Sequence, residues 1–433
     1  MKISALHALQ IFDSRGHPTV EVEITLENGM SGRGFVPSGA STGSHEAHEL
    51  RDGDPHRYRG KSVFQAIAHV EGEIARLVVG RDVFDQSGLD AALVALDGTP
   101  NKSRLGANAL LGVSMAAAQA AACARGVPLF ESLGGGQSTL LPLPEVQIFG
   151  GGRHAQGRID IQDFMIVALR ARTYEETLEI THNVFHAAAD VMRARGRLAG
   201  VADEGGYWPL FDRNEDVFEA LLAAIRAAGY TPGRDVGLSL DIAATDLFQD
   251  DSYSLGLEKR RFTSAQFARL MIDWVEKYPI VSIEDPMAED DWDGWRLVRE
   301  AIGHRCQLIG DDHFTTHPER IRRGISARTA NAVLIKLNQI GTVTETIRAI
   351  RQTQAAGWLP VVSARSGETE DAFIAHLAVA TNAGQLKVGS FSRSERMVKW
   401  NEVLRIQRSL GGRARFLGTG IFEAAGIALP VLA

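Results

Sequence analysis

The chain has 433 residues, enough for two or three domains, and the composition of an ordinary globular protein, with 46 basic and 53 acidic residues and a formal charge of −7. The mild acidity and the lack of a basic tract argue against a nucleic-acid partner. Two cysteines in so long a chain predict a reducing compartment without a disulfide framework. The amino terminus lacks a signal-peptide core, and we predict neither a membrane span nor a membrane partner. We therefore expect a cytoplasmic protein.

The first predicted elements form a hairpin. Residues 19–26 alternate polar and apolar side chains, which is typical of a half-buried strand. Asn28-Gly29 is a strong hairpin turn, and residues 30–36 are the returning strand. The segment Pro37-Ser38-Gly39-Ala40-Ser41-Thr42-Gly43 then predicts a mobile surface loop.

Helical patterns follow the hairpin. Residues 63–77 show an apolar helical face, and the alanine-rich residues 105–124 predict a closely packed, buried helix. Glycines and prolines between about 125 and 142 mark a domain boundary. We predict an α+β domain over residues 1–135 and an α/β barrel domain over residues 136–433.

In the second domain, five short apolar runs each lead into charged residues. A few tens of residues separate these runs, which is enough for a helix between parallel strands. Because reactive groups in such folds lie at the carboxyl ends of the strands, the five are expected to converge. The charged residues are Asp241, Glu284, Asp311, Lys336 and Arg365.

The three acids predict a metal site. Carboxylate-only ligands suit a hard cation, Mg²⁺ in particular. The alternative for each acid is that it caps the helix that follows. We favour the metal site because a lysine and an arginine occupy the next two strand ends.

Two further residues are candidates for proton transfer. Lys336 ends an apolar strand, and a nearby metal would depress its pKa and make it a general base. The alternative is a lysine paired with a neighbouring acid. Glu204 lies in Asp-Glu-Gly-Gly and is a candidate general acid, although this motif alone is more often a surface turn.

The remaining candidates bind anions. Arg365, Ser366 and Lys387 predict a clamp for phosphate or carboxylate, and the loop at residues 38–43 is a candidate lid. His154 follows three glycines and an arginine. A lone histidine is as often structural or exposed as catalytic.

The chain resembles the enolase (phosphopyruvate hydratase) family over nearly its whole length. The matching motifs are Asp13-Ser14-Arg15-Gly16, Pro37 to Gly43, Leu50-Arg51-Asp52-Gly53-Asp54, Asn101-Lys102-Ser103, Ser282-Ile283-Glu284-Asp285, Asn338-Gln339-Ile340-Gly341, Ser366-Gly367-Glu368-Thr369-Glu370-Asp371 and Arg393-Ser394-Glu395-Arg396. The resemblance implies an enolase-type (β/α)8 barrel with atypical first units, an amino-terminal α+β cap and at least a homodimer.

The resemblance also implies roles for the site residues. One Mg²⁺ would bind Asp241, Glu284 and Asp311, and a second would bind the substrate phosphate and Ser41. Lys336 would remove the C2 proton, and Glu204 would help to expel the C3 hydroxyl. Arg365 and Ser366 would hold the phosphate, Lys387 and Gln162 the carboxylate, and His154 would lie on an active-site loop.

Several positions depart from the enolase pattern. Ala364 stands where enolases have histidine, and Asp163 stands where they have glutamate. Gln147 and Gly150 both replace asparagine. These changes make room in the substrate pocket and predict a divergent paralogue that resembles carboxyphosphonoenolpyruvate synthase. Such an enzyme would transfer phosphonoformate from CMP-phosphonoformate in phosphonate antibiotic biosynthesis.

Two alternatives remain open. One is an ordinary phosphopyruvate hydratase acting on 2-phosphoglycerate, and the other is a non-catalytic binding protein on the same fold.

Overall fold

The computed structural model describes residues 1–40 and 42–429, apart from the side chain of Pro209. Its amino-terminal part begins with an antiparallel sheet, in the order β1-β2-β3. The strands are β1 (Ile3–Phe12), β2 (Pro18–Leu26) and β3 (Ser31–Phe35). Strand β2 buries Val20, Val22, Ile24 and Leu26, as its alternation predicts. Gly29 in the turn has a φ of +83°, which is why glycine suits this position.

Five helices follow this sheet, and a π-helical turn joins the first two. They are α1 (Phe64–His69), α2 (Ala75–Val78), α3 (Gln86–Asp97), α4 (Ala107–Arg125) and α5 (Leu129–Gly134). Helix α4 packs against β2 and β3. It is long and apolar enough to cross a membrane, but 83% of its apolar window is buried inside the fold. This confirms the prediction of a closely packed core helix.

Eight strands close the barrel. They are β5 (Leu143–Gly150), β6 (Asp163–Ala168), β9 (Val236–Asp241), β13 (Ile280–Glu284), β14 (Gln307–Gly310), β15 (Ala332–Ile335), β16 (Leu359–Ser363) and β17 (Gln385–Ser390). The shorter strands are β4 (Leu140–Leu141), β7 (Leu198–Val201), β8 (Tyr207–Pro209), β10 (Phe248–Gln249), β11 (Ser252–Leu255), β12 (Arg260–Phe262) and β18 (Arg415–Phe416).

The remaining helices follow the barrel strands. They are α6 (Tyr174–Ala194), α7 (Glu215–Ala227), α8 (Ala244–Leu247), α9 (Ser264–Lys277), α10 (Trp292–Ile302), α11 (Pro318–Ala327), α12 (Leu337–Ile340), α13 (Val343–Ala355), α14 (Phe373–Ala380), α15 (Ser394–Leu410) and α16 (Gly420–Ala424).

The barrel is mostly parallel. Strand β6 runs antiparallel to both β5 and β9, whereas the strands from β9 to β17 pair in parallel and β17 closes onto β5. The start of β6 therefore lies beside the carboxyl end of β9, and Asp163 pairs with Asp241. The predicted enolase-type α/β barrel with atypical first units is confirmed.

The opposite end of the barrel is closed by the carboxyl-terminal segment. Ile421, Phe422 and Ile427 pack with Leu143 and Val281 in a separate apolar cluster. The carboxyl-terminal segment therefore packs onto the barrel. The domain boundary between residues 135 and 136 stays a prediction.

Candidate active site

The charged residues predicted from five strand ends come together at the mouth of the barrel. Asp241 and Glu284 end β9 and β13, and Asp311 and Lys336 directly follow β14 and β15. Arg365 follows β16. The acids and Arg365 are buried, and the Lys336 side chain is 12% exposed. The carboxyl ends of neighbouring parallel strands lie at the same end of the barrel, so these residues come together there as predicted.

Lys387, on β17, lies at the centre of the site. Its Nζ is 3.0 Å from Asp241 Oδ2, 2.7 Å from Glu284 Oε2 and 3.6 Å from Asp163 Oδ2. Burial disfavours the charged ammonium, but Asp241 and Glu284 outweigh it and hold the pKa of Lys387 well above its ordinary value. Burial and the nearby Asp241 charge raise the pKa of Glu284 in turn.

Lys336 pairs directly with Asp311. Gln339 donates to the other oxygen of Asp311 at 2.7 Å, and Thr316 Oγ1 accepts from the Lys336 backbone N–H at 2.9 Å. Burial alone would lower the pKa of Lys336, but Asp311 outweighs it and raises the pKa. The pairing left open by the sequence is thus present. A neutral Lys336 requires that Asp311 engage another cation.

The three predicted metal ligands are oxygen donors of the kind that a hard cation prefers, but their ligand atoms do not lie within 4.8 Å of one another as those of Asp285, Asp311 and Asp312 do. Asp241, Glu284 and Asp311 are all buried oxygen donors, and Glu284 Oε1 has no hydrogen-bond partner among the described residues. Asp241 Oδ1 accepts from the N–H of Ala243 at 3.0 Å, a local contact in the turn before α8 and not a side-chain cap of that helix. The two lysines neutralise the carboxylates that a Mg²⁺ ion would otherwise neutralise, and the residues present would hold Mg²⁺.

A second acidic cluster includes Asp311. Ligand oxygens of Asp285, Asp311 and Asp312 lie within 4.8 Å of one another. Asp285 accepts the backbone N–H groups of Asp311 and Asp312, each at 2.8 Å. Its carboxylate thus shapes the turn after β14.

His154 links three other predicted residues. Its Nδ1 is 3.1 Å from Asp163 Oδ1, and its Nε2 is 3.2 Å from Ser366 Oγ and 3.8 Å from Glu204 Oε1. Burial opposes protonation, but Asp163 and Glu204 outweigh it and raise the pKa of His154 to about 9. His154 is therefore a buried imidazolium at neutral pH, and Glu204, 6% exposed, is not part of an exposed turn.

Arg365 is held by a residue that the sequence did not indicate. Its guanidinium donates to Glu46 at 3.0 and 3.2 Å and to Asn338 Oδ1 at 2.8 Å. An anion bound at Arg365 has to compete with Glu46. No motif of the sequence distinguished Glu46, because its role depends on the cap reaching the barrel.

The loop at residues 37–43 also reaches the barrel. Ser38 forms an antiparallel bridge with Gly367, and the N–H of Ala40 donates to Ser366 Oγ at 3.4 Å. Ser41 lies outside the described residues, so its metal and substrate roles stay predictions. Gln162 donates to Asp241 Oδ2 at 3.0 Å, and its buried Oε1 has no partner in the described part of the chain.

Two of the departures from the enolase pattern are in direct contact. Gln147 Nε2 donates to Asp163 Oδ1 at 2.5 Å. The glutamine, one methylene longer than the asparagine of the enolase pattern, thus contacts the aspartate, one methylene shorter than the glutamate of that pattern. Ala364 is buried and its methyl group belongs to the main apolar core. Burial of Ala364 does not test whether there is extra room beside it, so that expectation stays a prediction.

A closed α/β barrel with buried acids, lysines and an arginine at its mouth is the architecture of a barrel enzyme. Two family models match the chain: "Enolase, N-terminal domain" over residues 3–133 and "Enolase, C-terminal TIM barrel domain" over residues 138–425. Enolase 1 of Desulfitobacterium hafniense (strain Y51) is 54% identical over 429 residues, which cover 98% of each chain. The chain belongs to the enolase family, a family of magnesium-dependent lyases.

Proposed function

We propose that this chain is a phosphopyruvate hydratase that removes water from 2-phosphoglycerate to form phosphoenolpyruvate. The observation that carries the proposal is the 54% identity to Enolase 1 over 98% of both chains. The site geometry supports it, since acids, lysines and an arginine that suit a phosphorylated hydroxy acid meet at one barrel mouth. We further propose a cytoplasmic homodimer.

Proton removal is assigned to Lys336. Asp241, Glu284 and Asp311 would hold Mg²⁺, which would supply positive charge beside the substrate carboxylate. With Asp311 engaged in this way, the ammonium of Lys336 would lose its strongest partner and its pKa would fall, which suits a general base. A second Mg²⁺, at the phosphate and Ser41, belongs to the same proposal.

Substrate binding is assigned to the surrounding cations. Lys387 and Gln162 take the carboxylate, and Arg365 and Ser366 take the phosphate in place of Glu46. Glu204 passes a proton to the departing C3 hydroxyl, and the neighbouring His154 imidazolium, whose Nε2 lies 3.8 Å from Glu204 Oε1, is the source of that proton.

The second candidate is the specialised synthase that uses CMP-phosphonoformate. It is favoured by Ala364 and Asp163, which differ from the enolase pattern. Against it, Ala364 is buried in the apolar core, and the longer Gln147 side chain keeps a hydrogen bond with the shorter Asp163 side chain. The comparisons give this transferase function no support.

The test is a turnover assay with 2-phosphoglycerate and Mg²⁺, followed by the absorbance of the enol product. We expect turnover in the usual enzymatic range of roughly 1–10³ s⁻¹, abolished by EDTA and restored by Mg²⁺. Product formation only after addition of CMP-phosphonoformate would support the synthase instead. Binding of 2-phosphoglycerate with no reaction under either condition would support a binding protein.

A further inference from the structure

The side-chain amide of Gln147 bridges two parts of the active site. Gln147 lies on β5 and is fully buried. Its Nε2 donates to Asp163 Oδ1 at 2.5 Å, and its Oε1 accepts from the N–H of Gly206 at 2.8 Å. Because one end donates and the other accepts, the orientation of the amide is determined by its surroundings.

Each contact leads to a residue with a proposed catalytic role. Asp163 Oδ1 is also 3.1 Å from His154 Nδ1, so one carboxylate oxygen joins the amide to the imidazole. Gly206 belongs to the turn that carries Glu204. The amide therefore connects the strand bearing Asp163 to the turn bearing Glu204. His154 also lies close to both Asp163 and Glu204.

The surroundings of the amide leave little freedom. A Cβ atom at Gly206 would lie 2.5 Å from Gln147 Oε1, and one at Gly150 would lie 3.2 Å from Nε2. Both positions are glycines, and the backbone closes around the amide. Removing one methylene at position 147 would draw the amide back by about 1.3 Å, which would lengthen the contacts to Asp163 and Gly206, now 2.5 and 2.8 Å, and they could not both be kept.

We propose that Gln147 is a positioning residue that fixes the position of the Asp163–His154 pair relative to Glu204. The combined length of the side chains at positions 147 and 163 determines this relative position. The inference rests on the proposed hydratase function. It predicts that shortening one side chain is harmful, and that lengthening the other by the same methylene compensates.

The experiment is a double-mutant cycle of Gln147→Asn, Asp163→Glu and the double variant. We expect Gln147→Asn to lower kcat about tenfold or more, with KM within about threefold, because the lost contact acts through geometry rather than substrate binding. The double variant should recover most of the loss. Gln354→Asn is the matched control, since the Gln354 amide donates to Thr381 and Asn382 far from the site, and its kcat should not change.

A second readout does not depend on turnover. The ring ¹⁵N signals of His154, assigned with His154→Gln, should shift in Gln147→Asn and return in the double variant. If the wild type fails to turn over 2-phosphoglycerate, the proposed function is wrong, and these signals still decide the role of Gln147. Unchanged signals, or single-variant losses in kcat that simply multiply in the double variant, would overturn the proposal.

Folding is checked by the unfolding midpoint of each variant. If Gln147→Asn does not fold, Gln147→Met replaces it, because methionine keeps the length of the side chain and lacks the amide. Loss of kcat together with shifted His154 signals in that variant supports the proposal. A kcat within about twofold of the wild type contradicts it.

Discussion

At the scale of single residues, the site is a set of buried charges that neutralise one another. Lys387 pairs with Asp241 and Glu284, Lys336 with Asp311, and Arg365 with Glu46. Removing one member of a buried pair leaves the other uncompensated, which typically costs about 3–5 kcal/mol. Substitutions here therefore act on both chemistry and stability.

Lys336→Ala tests the proposed base. We expect kcat on 2-phosphoglycerate to fall by about 10²–10⁴-fold, because no other group takes the proton. We also expect lower stability without metal, since Asp311 loses its partner, and partial recovery in Mg²⁺. Lys2→Ala, at an exposed lysine, is the control. Full activity in Lys336→Ala, measured in the same turnover assay, would contradict the role of base.

The raised pKa of His154 predicts a pH-dependent stability. The folded-state pKa of about 9 lies above the ordinary value of 6.5, so the stabilisation is complete below about pH 6.5 and is lost as the pH rises through 9. We expect the free energy of unfolding to fall by about 3 kcal/mol over this range, measured by urea titration. His154→Gln should lack the fall, whereas His56→Gln, at an exposed histidine, should keep it.

At the scale of elements, the cap is organised by helix α4. It lies so close to β3 that a Cβ atom at Gly34 would come within 2.5 Å of the carbonyl oxygen of Gly112 on the helix. Only glycine fits at position 34, because a Cβ atom there would overlap the backbone of α4, and neither β3 nor α4 can shift without disturbing the close packing around them.

Gly34→Ala tests this packing. We expect a loss of about 3 kcal/mol in the free energy of unfolding, since overpacking against backbone cannot be relieved by a side-chain rotation. Gly412→Ala is the matched control, because nothing lies within 4 Å of its added methyl group. Chemical denaturation at constant Mg²⁺ measures both variants. Equal losses would show that the close approach of α4 is not limiting.

At the scale of the whole molecule, the cap completes the barrel site. Glu46 and the loop at residues 37–43 come from the amino-terminal part, yet they contact Arg365, Ser366 and Gly367 of the barrel. The site is thus a junction between the two parts of the chain, and a ligand bound there couples their stabilities.

Metal binding should therefore stabilise the entire chain. Mg²⁺ at 100 times its Kd is expected to add about 2.7 kcal/mol, because the ion binds the folded state alone. The measurement is Tm with EDTA and with increasing Mg²⁺. Asp241→Asn should reduce the shift, whereas Asp251→Asn, at an exposed acid, should not. A Tm that is independent of Mg²⁺ would contradict the assigned ligands.

The sequence predicted elements whose patterns are strong. The apolar runs into Asp241, Glu284, Asp311 and Lys336 became β9, β13, β14 and β15. Helix α15 was not predicted. Its buried face begins with Arg396 and Lys399, whose charges meet backbone carbonyls and Glu368, and continues with the apolar residues Trp400, Val403, Ile406 and Leu410.

By itself the sequence determined the barrel, the family and the charged strand ends, because these depend on local patterns and on the chain order of parallel strands. Only the tertiary structure decided which charges pair. It brought Glu46 to Arg365, placed Lys387 between Asp241 and Glu284, and joined Gln147 to Asp163. These contacts link residues remote in the sequence, and their partners follow from packing geometry.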